Sequence, residues 1–321
     1  MKRIGNIYYK LCDINNILDS YKEVMRTTRN KKNVVLFDGY KCIQVNRIYN
    51  DITNKTYVPS ALREVTIYEP KKRIIVVQDI YDKIINHLVS RQILIPYLTK
   101  QLIDSNVASR KGYGTSYGRK LYFKYRNIYD IKYNNYYILK VDISKFFANI
   151  NHNILKDKTR RKIKDKDVLD LLDKIIDNYD KGIPIGLMTS QIFAIFYLDS
   201  LDKYIKEVLK IKYYVRYQDD MILIHQDKEY LQYCLSCIKM ELEKLDLEVN
   251  NKTRIYKNNE NMSFIGVKRN GKLVNYQRTV KKVKGNIKKY EKREIELSSV
   301  ISSLNYLKGG TRQWKKSYYI L

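Results

Sequence analysis

The chain has 321 residues, 44% of them hydrophobic, which is enough for substantial cores and for two or three compact units. Its formal net charge of +28 costs self-repulsion and points to a polyanionic partner, most simply nucleic acid. No apolar run reaches the roughly eighteen residues of a membrane span, residues 1–6 lack a secretory core, and four cysteines make no disulfide scaffold, so a cytoplasmic protein without a membrane partner is expected.

In chain order, Leu11, Ile14, Ile17, Leu18, Tyr21, Val24 and Met25 recur at helical spacing and predict an N-terminal helical segment over 5–28. The basic cluster Arg26, Arg29, Lys31 and Lys32 follows, read as a solvated loop or an RNA contact. Val65 to Val77 reads as strand, turn, strand, with Lys71 and Arg73 near the tip. A helix is expected from Ile80 to Leu94. Residues 106–115 carry Arg110, Lys111, Gly112 and Gly114, a loop that permits close backbone approach to a phosphate chain. Tyr136 to Val141 is an apolar run ending at Asp142.

Residues 153–179 read as helical with an apolar stripe through Leu155, Val168, Leu171, Leu172, Ile175 and Ile176. Gly182 and Gly186 flank Pro184 in a loop that can lie flat beneath a base pair, and Ser190 is a candidate N-cap for a helix over 192–209. Tyr214 to Ile224 reads as a hairpin whose turn carries Asp219 and Asp220. An amphipathic helix spans 229–245; its Cys234 and Cys237 have no second pair at zinc-site spacing. From Gln277 the chain becomes basic and helical, with Arg278, Lys281, Lys282, Lys284, Lys288, Lys289, Lys292 and Arg293. A second helix near 297–307 ends at Gly309-Gly310, a candidate C-cap.

The chemistry gathers at the carboxylates. Adjacent like charges repel unless cations stand between them. An Asp-Asp pair alone also fits a polar hairpin tip. Asp142, ending a strand beside that hairpin, would supply a third carboxylate and shift the balance towards a Mg²⁺ site, since Mg²⁺ takes a few carboxylates plus substrate phosphates and water. Two such ions stabilise the attacking and leaving oxygens of a phosphoryl displacement.

These residues carry a resemblance. Tyr217-Gln218-Asp219-Asp220 matches the Tyr-x-Asp-Asp box of reverse transcriptases. Residues 141–152, from Val141-Asp142-Ile143-Ser144-Lys145-Phe146-Phe147 to His152, resemble the first catalytic block of the bacterial branch of group II introns, retrons and diversity-generating retroelements. Residues 182–191, Gly182-Ile183-Pro184-Ile185-Gly186 through Gln191, resemble the nucleotide-pocket block between them, and the similarity runs from about 60 to about 270. The resemblance implies an α+β right-hand polymerase with fingers, a palm of antiparallel sheet backed by helices, and a short helical thumb. The expected boundaries are a helical extension over 1–49, fingers over 50–135, palm over 136–270 and thumb over 271–321.

The implied activity is RNA-directed DNA polymerisation with two Mg²⁺ ions and deoxynucleoside triphosphates. Asp142, Asp219 and Asp220 would be catalytic and, with Ile143, metal-binding. Lys71 and Arg73 would hold the triphosphate, Phe147 would exclude a ribose 2′-OH, and Ile185, Gly186 and Gln191 would line the nucleotide pocket. Lys252, in a block resembling the family's next one, is the implied general acid for pyrophosphate, and residues 263–267 look like the hairpin that grips the primer end.

The implied partners are an RNA template, a DNA or RNA primer, a cognate structured non-coding RNA and a small accessory protein. Ile185, where many relatives carry Gln, and Ser190-Gln191, where they carry Ser-Pro, resemble diversity-generating enzymes best, with phage-defence enzymes close by. A catalytically idle RNA-binding or maturase-like protein is the reading from another class.

Overall fold

The computed structural model describes residues 3–28, 32–67, 73–269, 271, 274–297, 299–301 and 304. Helix α1 (Ile14–Thr27) buries Ile17, Tyr21 and Val24, and its N-cap Asp13 accepts a hydrogen bond from the Asn15 amide at 2.8 Å. Two further helices, α2 (Lys32–Gly39) and α3 (Lys41–Thr53), follow. The basic cluster read as a loop or an RNA contact is thus partly helical: Arg26 lies in the last turn of α1 and Lys32 opens α2, while Arg29 and Lys31 lie outside the described residues.

Strands β1 (Arg63–Ile67) and β2 (Arg73–Val77) form an antiparallel hairpin. Helix α4 (Ile80–Val89) then widens into a π-helical stretch, Ser90–Thr99, rather than ending at Leu94. Pro96 sits inside that stretch, where it cannot donate to the helical ladder. After the loop 106–114 comes α5 (Thr115–Lys132).

The central sheet begins with β3 (Tyr137–Val141). It is followed by α6 (Phe146–Asn149), α7 (His152–Arg160), α8 (Lys166–Asp177), α9 (Met188–Tyr197) and α10 (Asp199–Lys203), with a π-helical turn over Tyr204–Val208. Ser190 does not cap a helix. It is buried in the first turn of α9, which Leu187 precedes without a side-chain cap. The single helix expected over 192–209 is three pieces. Strands β4 (Tyr213–Tyr217) and β5 (Asp220–His225), α11 (Lys228–Glu243) and β6 (Arg254–Lys257) complete the sheet in the antiparallel order β4-β5-β3-β6. A short hairpin, β7 (Ser263–Phe264) and β8 (Val267–Lys268), and the basic helix α12 (Val274–Glu291) follow. The end of the second basic helix, with Gly309-Gly310, lies outside the described residues. Among the described residues no helix is long and apolar enough to cross a membrane.

Side chains alternate faces along a strand, so the sheet sorts its residues into two cores. Leu139, Val141, Ile143, Met221, Leu223 and Tyr214 join the larger core, with residues of α4, α9 and α11. Ile138, Ile222, Ile224 and Val215 join a second core with Tyr122 and Tyr129 of α5 and Phe264 of β7. By the same alternation, Lys140, Asp142 and Asp220 fall on the face of the second core.

Two glycines fasten the surrounding loops to this frame. Gly182 has φ +71°, and a Cβ there would overlap the backbone of Phe147 and Ala148. The Ile183 amide donates to Phe147 O at 2.8 Å, and His152 Nε2 donates to Gly182 O at 2.6 Å. Gly186 has φ +120°, and a Cβ there would stand 2.7 Å from Val76 O. The Val76 amide donates to Ile185 O at 2.8 Å, so β2 is laced to the glycine loop.

Gly182→Ala combines an unfavourable φ with backbone overlap. It is expected to destabilise the fold by about 2–3 kcal/mol. Urea unfolding should show a lower midpoint at unchanged slope.

Candidate active site

The β4–β5 hairpin turns in two residues. Tyr217 pairs with Asp220, leaving Gln218 and Asp219 as the turn, with Gln218 at φ 57°. In β3, Val141 pairs with Met221, so continuing that register by one residue sets Asp142 opposite Asp220. Asp142 is held from its other side: its amide lies 3.1 Å from Thr253 Oγ1, and its carbonyl accepts from the Asn250 amide at 2.7 Å.

The electrostatics raise two of the carboxylates, Asp219 and Asp220. Burial raises Asp219, and Asp142 adds to the rise while Arg73 and Arg216 offset it. Burial pushes Asp220 up to about 7; Lys140 pulls it down, and Asp142 and Asp219 add to the rise. Asp220 Oδ2 stands 3.3 Å from Lys140 Nζ. Its other oxygen, Oδ1, is buried without a hydrogen-bond partner. A hard divalent cation takes oxygen donors of this kind, so the residues fit one. Among the described residues no three His, Cys, Asp or Glu side chains close into a cage by themselves.

Sequence reasoning missed what holds the turn. Arg216 and Asp202 of α10 are both fully buried and paired: Nε to Oδ1 at 2.6 Å and Nη2 to Oδ2 at 2.5 Å. Arg216 Nη1 donates to Gln218 O at 2.8 Å and Nη2 to Ile195 O at 3.0 Å. Tyr214 Oη donates to Asp202 Oδ1 at 2.7 Å. The Arg216 backbone bonds Ser105 O and the Val107 amide, each at 2.9 Å, which adds the 105–107 segment to the edge of β4. The signal available in the sequence was an arginine inside an apolar strand, where an unpaired charge is very costly. Nothing in the sequence pointed to Asp202 as its partner.

The remaining candidates are spread around the carboxylates. Phe147, on α6, is half-buried and packs edge-on against Phe146 with ring centroids 5.5 Å apart. Ile185 is 38% exposed, beside Gly186 at the end of β2. Gln191, on α9, accepts from Ser109 Oγ at 3.4 Å, and Ser109 Oγ in turn accepts from Gln218 Nε2 at 2.9 Å, so the 106–114 loop touches both blocks. Arg73 is exposed on β2 and close enough to Asp219 to influence its charge. Lys71 lies outside the described residues. Ile143 points its side chain into the larger core, leaving only its backbone for a ligand role. Lys252 is exposed on the 250–253 turn that holds Asp142.

Residues 64–269, more than half of the chain, match the family described as reverse transcriptase (RNA-dependent DNA polymerase). The chain belongs to the reverse transcriptase family. This reverse transcriptase domain is similar to two proteins of Saccharomyces cerevisiae, the putative COX1/OXI3 intron 2 and intron 1 proteins. They are 28% identical over 217 residues and 24% over 187 residues, covering 61% and 54% of this chain. Those stretches are 24% and 22% of the yeast proteins, so the chain spans about a quarter of the length of the curated relatives it matches. Among solved structures, apo telomerase from Candida tropicalis aligns with a TM-score of 0.50 at 17% identity, covering 66% of this chain and 47% of that one. Telomerase from the same organism in complex with a TWJ fragment of telomeric RNA aligns at 0.51 and 18%, covering 70% and 46%. At such identity the likeness is one of fold, and the fold is that of an α+β polymerase.

Two outcomes follow from this geometry. Arg216→Met should cost about 3–5 kcal/mol because it strands the buried Asp202 charge, while Arg216→Met with Asp202→Leu should recover most of that loss. Chemical denaturation of the three proteins reads both. The second concerns pH. With its folded pKa raised above the unfolded one, Asp220 keeps a proton that the unfolded chain releases, so its contribution to stability falls as pH rises from about 4 to about 7. In metal-free buffer, Asp220→Asn should match wild type near pH 4 and exceed it by roughly 1–2 kcal/mol at pH 8.

Proposed function

We propose that this reverse transcriptase domain is an active RNA-directed DNA polymerase that builds complementary DNA from deoxynucleoside triphosphates on an RNA template. The observation that carries the reading is Asp142 set in register opposite Asp220, beside Asp219, with Asp220 Oδ1 buried and unpartnered. Asp142, Asp219 and Asp220, with the Ile143 backbone carbonyl, would hold Mg²⁺ ions, which supply charge stabilisation to the attacking and leaving oxygens. The protein's own residues do the rest. Arg73, with Lys71, holds the triphosphate. Phe147 fills the volume of a ribose 2′-OH and selects the sugar by shape. Gly182 and Gly186 let the loop lie flat under the nascent pair, with Ile185 and Gln191 at its rim. Lys252, exposed on the turn that holds Asp142, gives a proton to pyrophosphate. The lysines of α12 grip the duplex through phosphates, which carry little sequence information.

The setting we propose is a bacterial retroelement that diversifies a target gene, with a cognate structured RNA and a small accessory protein. Ile185 supports it: an exposed isoleucine offers the nascent pair only apolar surface. A site that rejects substrates through hydrogen bonds discriminates more strongly than one relying on shape. A phage-defence enzyme would share all of the palm chemistry. An idle RNA-binding protein is favoured by one observation, the intron proteins among its relatives. Asp219 and Asp220, both raised by burial and by neighbouring carboxylates and so costly to keep charged without a cation, argue against it.

Asp142→Asn and Asp219→Asn should each abolish primer extension while leaving RNA binding within about twofold, since neither touches the basic surface. Extension at the wild-type rate by either variant would show that the chemistry lies at other residues, and a wild-type protein that extends no primer would establish the idle-binder reading. Ile185→Gln should lower the error rate of complementary DNA made on a defined template, read by deep sequencing. Equal, low error rates in both proteins would favour the defence setting.

A further inference from the structure

The β7–β8 hairpin is too small to hold itself. It has two residues per strand, joined by a turn of Ile265 and Gly266, both with positive φ. An isolated pair of this length has no stability in water. Phe264 anchors one side, fully buried and edge-on to Tyr122 at 5.7 Å. Two cations reach its backbone from different elements. Lys140 Nζ, on the carboxylate face of β3, donates to Ser263 O at 2.7 Å and stands 3.3 Å from Asp220 Oδ2. Arg119 Nε, on α5, donates to Ile265 O at 2.9 Å, at the turn itself. Neighbouring Gly118 lets the helix come this close: a Cβ there would lie 2.6 Å from Ile265 Cδ1 and 2.8 Å from Val107 Cγ2.

We infer that Lys140 and Arg119 are positioning residues that pin the 263–268 hairpin to the catalytic sheet, fixing where a primer end rests relative to Asp220. The inference rests on the polymerase reading for the primer and on geometry alone for the hairpin. An ammonium has three donors, so Lys140 serves the hairpin carbonyl and the carboxylate at once. A neutral side chain of that length would serve neither. Arg119 fixes the far end, so the turn cannot pivot about Phe264. The hairpin and the carboxylates therefore move as one body.

The test uses the full chain with Lys140→Met, Lys140→Arg and Arg119→Met. The first readout is hydrogen exchange of the amides of 264–268 in protein free of nucleic acid, which reports local opening. Losing one charge-assisted bond should raise exchange there about tenfold in both methionine variants, with the sheet amides unchanged. The second readout is steady-state primer extension. The KM for primer–template should rise about tenfold in both variants while the KM for nucleotide stays within about twofold, and Lys140→Arg should restore exchange and KM together. Unchanged exchange in both methionine variants overturns the inference, whatever happens to activity. Raised exchange with an unchanged primer–template KM also overturns it, because the hairpin would then be loose without consequence for the primer. A wild-type protein that extends no primer overturns the polymerase reading instead, and leaves the exchange result to decide whether the two cations pin the hairpin.

Discussion

The buried pair of Arg216 and Asp202 is the constraint on which the site depends. A guanidinium fully removed from water must satisfy its donors inside the protein, and here they go to a carboxylate, a helix carbonyl and the carbonyl of Gln218. The last of these is the turn that carries Asp219. A planar fork with fixed donor directions positions that turn far more tightly than packing of the short β4–β5 connection would. The same arginine's backbone recruits the 105–107 segment to the sheet edge, and Asn106 Nδ2 reaches Asp202 Oδ2 at 3.3 Å. One ion pair thus ties together β4, α9, α10, the turn that carries Asp219 and the loop that precedes α5. A buried pair of this kind adds little to stability by itself. Its contribution is geometry.

Against that rigid frame the carboxylates are held where they repel. Burial and mutual charge raise both aspartates of the turn, and Lys140 offsets only part of it. Two buried acids raised in this way are disfavoured as anions unless positive charge stands beside them, and Lys140 and Arg73 supply part of it. The molecule as a whole is strongly basic, with a formal net charge of +28, so these carboxylates form a locally acidic spot in a positive field.

The loop from Gly182 to Gly186 is held by backbone rather than by side chains. Gly182 lies against the Phe147 backbone, and Gly186 lies against Val76, so the loop between them is pressed onto both α6 and β2. Residues far apart in sequence, Arg73, Phe147 and Ile185, are brought around one loop by contacts that any side chain at these glycines would obstruct.

The sequence by itself determined the reverse transcriptase family, the α+β class, the Asp-Asp hairpin and the strand that delivers Asp142. These are legible because alternation along a strand, helical spacing and adjacent carboxylates are local patterns, and because the blocks occur in one order. It also read helices where α8 and α11 stand, whose apolar stripes run unbroken. Local pattern failed where tertiary contacts decide. Ser190 resembles an N-cap but is buried in the first turn of α9, because burial there outweighed the preference of serine for helix ends. The stretch over 192–209 has one apolar period yet breaks into three helical pieces, and the second carries Asp202 to Arg216. Arg216 was visible only as an anomaly, and Asp202, Lys140 and Arg119 were not visible at all. A hydrogen bond between residues 14, 123 or 146 positions apart leaves no periodicity to read, so which buried charge meets which carbonyl was settled by the folded chain.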